Sequence, residues 1–159
     1  MPKINNMIQR IQTIYFLLII SCMITSLFIP FSSYLNNEAI TLGAFGLSNL
    51  PENLSEVSSR FPYYLCIISV IGLTIYTIAM YKYRKRQLLL GRINYLLILA
   101  TIVFILMDID YVAQQLDSID KIQYEIGAFL PVAALPFVFL ANRGIKKDEA
   151  LVKSLDRLR

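Results

Sequence analysis

Three groups of residues have types and spacings that could do chemistry. The first is a run of carboxylates, Asp108, Asp110, Asp117, Asp120 and Glu125, interrupted by the single cation Lys121. Clustered carboxylates can hold a hard cation or exchange protons. The second sets three acids near the C-terminus, Asp148, Glu149 and Asp156, against Arg10, Arg84, Arg86 and Arg92 from two other segments. Such opposite charges can fasten distant parts of a chain. The third is a pair of thiols, Cys22 and Cys66, each inside an apolar run.

Weighed one by one, these groups favour structure over catalysis. On a helix Asp108 and Asp110 point about 200° apart, so alone they make no paired carboxylate site. Asp117 and Asp120 are three apart and fit one helical face, but Asp117-Ser118 reads better as a turn. The acidic set is therefore read as a solvated rim, with a cation vestibule as the competing reading. Cys22 and Cys66 are read as free thiols, since nothing resembles the Cys-x-x-Cys of a redox relay. The chain has no histidine, which removes His-based triads, His-ligated haem, most zinc sites and His proton shuttles. No phosphate-cradling glycine loop, Gly-x-Ser-x-Gly elbow or nucleophile–base pair is present. The expectation is a non-enzymatic protein without catalytic residues, metal or cofactor. An enzyme working through the outer aspartates is the weakest of the three function classes considered.

The elements that carry these residues are apolar. The chain has 159 residues, 57% hydrophobic and 16% charged, with a mean hydropathy of +0.58. Soluble domains carry about 25% charge, and one of this size has no interior large enough to hide so much apolar surface. Four apolar runs approach the ~20 residues that a bilayer core requires. The pattern predicts an all-α membrane protein, a four-transmembrane-helix bundle forming one domain over residues 1–159. The spans are placed at about 11–30, 62–81, 88–112 and 124–142, with an outer loop at 31–61 and a tail at 143–159. Pro131 and Pro136 predict a kink or a widened turn in the fourth. Ile19-Ile20-Ser21-Cys22 loosely fits a lipobox, but the apolar run continues to Pro30, so an uncleaved first span is expected.

Charge sets the orientation. Thirteen of the fifteen basic residues fall in the N-terminus, the 2–3 loop and the tail, and only Arg60 and Lys121 lie opposite. The positive-inside rule puts both termini in the cytoplasm. The net charge of +4 is then a vector across the membrane, matched to anionic headgroups on the cytoplasmic side and not to nucleic acid. Phe28, Phe31, Tyr34, Phe61, Tyr63, Tyr64, Tyr111 and Tyr124 are read as an outer aromatic belt. Tyr15, Tyr76, Tyr81, Tyr83 and Tyr95 are read as an inner one.

Two outer and inner segments carry further expectations. Phe31–Leu35 and Glu38–Leu42 flank Asn36-Asn37, which predicts a small β-hairpin; an irregular loop is the competing reading. Gly43 and Gly46 are read as breaking that pattern. The tail reads as a cytoplasmic amphipathic helix with an apolar stripe of Leu151, Val152, Leu155 and Leu158, to be packed on lipid, on the 2–3 loop or on a partner.

Three stretches carry a resemblance. They are Met7-Ile8-Gln9-Arg10-Ile11-Gln12-Thr13-Ile14-Tyr15, Arg84-Lys85-Arg86-Gln87-Leu88-Leu89-Leu90-Gly91-Arg92-Ile93-Asn94, and the ending from Arg143 to Arg159. Together they resemble a bacterial family of four-span membrane proteins known only as a domain of unknown function, numbered forty-two ninety-three. The resemblance covers nearly the whole chain from Met7. It implies a bacterial inner-membrane location, brings no activity or catalytic residues, and makes Met7 an alternative start to Met1. Its residues lie almost entirely on the predicted cytoplasmic side. Arg10, Arg84, Arg86, Arg92, Asp148, Glu149 and Asp156 are therefore expected to form one cytoplasmic unit. The leading function is an inner-membrane accessory or scaffold protein acting on membrane-protein partners. The alternative is a small transporter or channel, working as a homo-oligomer, with the acidic rim as vestibule.

Overall fold

The computed structural model describes the backbone of residues 3–35, 39–51, 57–81, 83–116 and 121–156. It describes the side chains of residues 12–34, 40–51, 57–81, 83–116 and 121–150. Four helices and four short strands follow in the order α1 (Lys3–Phe28), β1 (Ser32–Leu35), β2 (Ala39–Gly43), β3 (Gly46–Ser48), α2 (Tyr63–Ala79), α3 (Arg84–Gln115), β4 (Lys121–Tyr124) and α4 (Ile126–Asp156). Each helix coincides with one of the apolar runs.

Proline marks the first two boundaries. α1 stops two residues before Pro30, and α2 starts directly after Pro62. A proline lacks the N–H needed inside a helix and pushes the residue before it out of the helical region. The helices form a ring in which α1 packs on α2, α2 on α3, α3 on α4 and α4 on α1. The strands gather at one end of this ring. The α2–α3 turn and the C-terminal reach of α4 lie at the other, so the helices alternate in direction.

The sheet is antiparallel in the order β3-β2-β1-β4. The predicted hairpin forms, pairing Ser32 with Leu42 and Leu35 with Ala39. Its register is one position off that of a two-residue turn at Asn36-Asn37, which exchanges the faces of one strand; residues 36–38 lie outside the described residues. Two differences are instructive. Gly43 and Gly46 do not break the sheet but face each other across a two-residue turn, and Gly46 takes a φ of +110° that suits only glycine. The second outer segment is not wholly loop, since Lys121–Tyr124 adds to β1 as an edge strand. Its alternation covers only four residues, and its partner lies about 90 positions away in sequence, too far for local periodicity to show.

The outer aromatics also differ from the predicted belt. Phe31, Tyr34 and Tyr63 are fully buried, and Phe31 meets Tyr63 edge-on at 5.5 Å. They form the core beneath the sheet, while Phe28, Tyr64 and Tyr124 remain at the surface. A mixed aromatic cluster looks the same in sequence whether it faces lipid or plugs the end of a bundle.

α4 runs unbroken through Pro131 and Pro136 into the tail, so the tail is the last four turns of α4 and not a separate helix. Pro131 cannot donate to the carbonyl four residues earlier, which belongs to Gly127. The buried Ser26 hydroxyl on α1 donates to that carbonyl at 3.1 Å instead. The proline therefore creates an acceptor and a neighbouring helix fills it. Ser26→Ala should cost about 1–3 kcal/mol, the penalty of an unsatisfied buried group. The denaturation midpoint in detergent, read against Thr25→Ala as an exposed control, measures it.

Two helices, Arg84–Gln115 and Ile126–Ala150 within α4, are long and apolar enough to cross a membrane. The apolar parts of the other two, Gln12–Phe28 and Tyr63–Ala79, are shorter.

Candidate functional site: the two polar ends of the bundle

At the turn end, side chains from α1, α3 and α4 converge on Asp148. This carboxylate is 5% exposed and accepts a hydrogen bond from Gln12 Nε2 on α1 at 3.2 Å. Arg84 Nη1, at the start of α3, donates to the Asp148 backbone carbonyl at 2.9 Å. One residue of α4 thus ties both neighbouring helices. Gly144 eases the approach of Gln12 to α4: a Cβ there would lie 3.0 Å from Gln12 Cγ, so the glutamine side chain would have to give by a few tenths of an ångström. Gln87, one turn along α3 from Arg84, donates to the Thr77 carbonyl at 3.3 Å. That satisfies an end carbonyl of α2, whose last turn has no helical donor for it.

Deeper in the bundle Asn94 Nδ2 donates to Thr74 Oγ1 at 2.8 Å, and Thr74 in turn donates to the Val70 carbonyl at 2.7 Å. Asn142 on α4 lies against the bare backbone of Gly91, where any Cβ would overlap its Oδ1. The pairing is partial: Asn94 Oδ1 and Asn142 Oδ1 are buried without a hydrogen-bond partner among the described residues, which costs free energy.

The predicted cytoplasmic residues separate accordingly. The structure brings Arg84 and Asp148 together. Arg86 and Arg92 are exposed, with the Arg86 guanidinium 5.4 Å from the Tyr83 ring centre. Glu149 is half-buried beside Asp148. The side chains of Arg10, Leu151, Val152, Leu155 and Asp156 lie outside the described residues, as does Leu158 altogether. Gln12 is absent from the unit expected from sequence, because its partner Asp148 lies 136 positions away and no local signal joins them. Reversing charge at Asp148 and Glu149 should loosen the end of α4. Amide exchange over residues 143–156 should speed about tenfold, the effect of losing roughly 1.4 kcal/mol of local stability, while exchange in the sheet stays unchanged.

At the sheet end the acids are not uniformly solvated. Asp108 is 1% exposed, and its Oδ1 accepts the backbone N–H of Arg60 at 3.0 Å. Its Oδ2 has no partner among the described residues. Glu125 is half-buried and accepts the Ser33 hydroxyl at 2.9 Å, while Asp110 is exposed. Asp117 and Asp120 lie outside the described residues. The rim is therefore part lining and part anchor, because the chain entering α2 folds over Asp108. Tyr34 donates to the Ile109 carbonyl at 3.0 Å. Burial pushes its phenol up to about 12, so it stays a donor throughout the neutral range. Gln115 holds the same entering segment by exchanging hydrogen bonds with the backbone of Ser58, at 3.4 and 3.3 Å.

A family model matches residues 8–158, nearly the full length, and its description is a domain of unknown function, DUF4293. The chain belongs to the DUF4293 family. No curated protein and no solved structure matches it. Membership agrees with the resemblance carried by the two ends and the Arg84–Asn94 stretch, and it assigns no activity. Neither cysteine forms a disulfide, and no group of three or more metal-binding side chains occurs among the described residues.

Proposed function

We propose that this protein is a four-span bacterial inner-membrane protein that acts as a scaffold for membrane-protein partners, without catalysing a reaction. The four-span reading is supported by an inside-out distribution of polarity. Ile14 and Leu17 on α1, Ile68 and Ile75 on α2, Leu96 and Met107 on α3, and Phe129 and Phe139 on α4 are all exposed. Gln12, Ser26, Thr74, Asn94 and Thr101 are buried between the helices. In a soluble protein these sets would change places. Only 33% of the apolar window in α3 or α4 is buried, far less than a soluble core helix requires. The apolar parts of α1 and α2 are short but within the range of ~17–25 residues that cross a bilayer. With the basic end inward, both termini are cytoplasmic and the sheet is outside.

The observation that carries the scaffold reading is the continuity of α4. A helix of 31 residues extends about 46 Å, well beyond a bilayer core of ~30 Å. Its projecting turns bear exposed Arg143, Lys146 and Lys147 and are held at Asp148 to α1 and α3. That makes the described basic stretch at 143–148 a fixed surface suited to anionic headgroups and to a partner. A second reading, a small transporter or channel, is favoured by the buried, half-satisfied Asp108 at the outer end. Copurification in mild detergent separates the two. A stoichiometric larger partner, lost when residues 143–159 are removed, supports the scaffold. A homo-oligomer with a hydrated path supports transport. A lone monomer with neither contradicts both.

A further inference from the structure

An open groove of about 270 Å³ lies at the sheet end beside the first turn of α2, adjoining the Asp108 cluster through Arg60. Three aromatic residues line it, Phe45, Phe61 and Tyr64, together with Arg60 and Ser59. Phe45 sits at the tip of the β2–β3 turn, 73% exposed, and stacks on Tyr64 at 5.9 Å. An apolar ring held out at the tip of a turn is costly in water and favourable at a headgroup boundary. On the other side Phe61 stacks on Phe104 of α3 at 4.9 Å. The aromatic wall therefore continues onto Phe104 of α3, and Leu65 and Ile68, in the first two turns of α2 after Tyr64, are exposed as well.

Arg60 is the only described basic residue at this end apart from Lys121. Its guanidinium carbon lies 4.0 Å from the centre of the Tyr111 ring. Ring stacking fixes the plane of an arginine and leaves the edge of its fork, with its N–H donors, open to an anion. Its exposed head has no carboxylate within ion-pairing distance among the described residues. The buried Asp108 is engaged by the Arg60 backbone and not by its side chain.

We infer that this groove is a phospholipid site. Arg60 takes the headgroup phosphate, Phe45, Phe61 and Tyr64 enclose the glycerol region, and an acyl chain lies along Leu65, Ile68 and Phe104. The anion demand comes from Arg60, and the long apolar tail from the continuity of the groove with the outer surface of α2 and α3. The inference rests on the membrane-spanning reading.

The test is native mass spectrometry of the full chain released from detergent after incubation with phosphatidylglycerol. The wild type should retain one lipid per chain. Arg60→Gln should lower retention about tenfold, the loss expected for one charge-assisted phosphate contact. Phe45→Ser should lower it with the charge intact, and Arg60→Lys should restore part of it. Circular dichroism of each variant confirms that the bundle is folded. Equal retention by wild type and Arg60→Gln overturns the site. Displacement of the lipid by millimolar inorganic phosphate also overturns it, in favour of a free-phosphate site. A chain that stays soluble and monodisperse without detergent fails the spanning reading itself, a result distinct from a detergent-requiring chain that retains no lipid.

Discussion

Replacing Gly127 with alanine should lower the stability of the detergent-solubilised protein by about 2–3 kcal/mol, at the upper end of what overpacking costs. A Cβ at this position would overlap the backbone carbonyls of Ile29 and Pro30. Neither neighbour can rotate away as a side chain would, so α1 and α4 must separate. The same joint holds three hydrogen bonds. Gly127 N–H donates to the Pro30 carbonyl at 3.2 Å, and the Ser26 hydroxyl donates to the Gly127 carbonyl at 3.1 Å. Glu125 N–H donates to the Phe31 carbonyl at 2.9 Å just before α4 begins. Separation therefore costs polar contacts as well as packing. Gly72 is the control, since a Cβ there meets nothing within 4 Å. Gly72→Ala should be neutral or slightly stabilising, because alanine is the better helix former. The midpoints of the two variants in a denaturant titration decide it.

The second large effect concerns Asp108, where two substitutions separate structure from transport. Asp108→Ala removes the acceptor of the Arg60 N–H and leaves a buried donor unpaired, at a cost of about 1–3 kcal/mol. Asp108→Asn keeps an acceptor of the same shape and removes the charge. If the residue serves to seat the segment entering α2, the asparagine variant should keep nearly wild-type stability and the alanine variant should not. A vestibule for cations would behave differently, since there the charge is what matters. Cation-dependent thermal stabilisation that disappears in Asp108→Asn would favour transport. The scaffold account expects the same stability for both proteins with and without added cations.

What could be read from sequence divides along the length scale of the signal. The four helices were legible because apolar runs between Pro30, Pro62, Arg92 and Arg143 are local. The β1–β2 hairpin was legible for the same reason, from two short strands either side of Asn36-Asn37. β4 was not, because four alternating residues say little until β1 is beside them. Positions facing a neighbouring helix were hidden too. Nothing near Ser26 shows that it supplies a donor for the carbonyl freed by Pro131. Nothing near Gln12 shows that it meets Asp148, 136 residues away. The burial of Asp108 is hidden in the sequence, because an acid at the edge of an apolar run reads as solvated while its cover depends on where the segment around Arg60 crosses. Arg84 and Asp148 were named together from their charges, though their hydrogen bond runs to a backbone carbonyl.

Thiol labelling from each side of the membrane tests the central claim most directly. In a background of Cys22→Ala and Cys66→Ala, single cysteines are placed at Ser48 on the sheet, Lys147 on the projecting part of α4, and Leu17 and Ile68 on α1 and α2. An impermeant maleimide should label Ser48→Cys in intact spheroplasts and Lys147→Cys only after permeabilisation. Leu17→Cys and Ile68→Cys should stay unlabelled in both conditions, because lipid covers them. Labelling of Leu17→Cys or Ile68→Cys at the rate of Ser48→Cys would place α1 and α2 in water and contradict the four-span account.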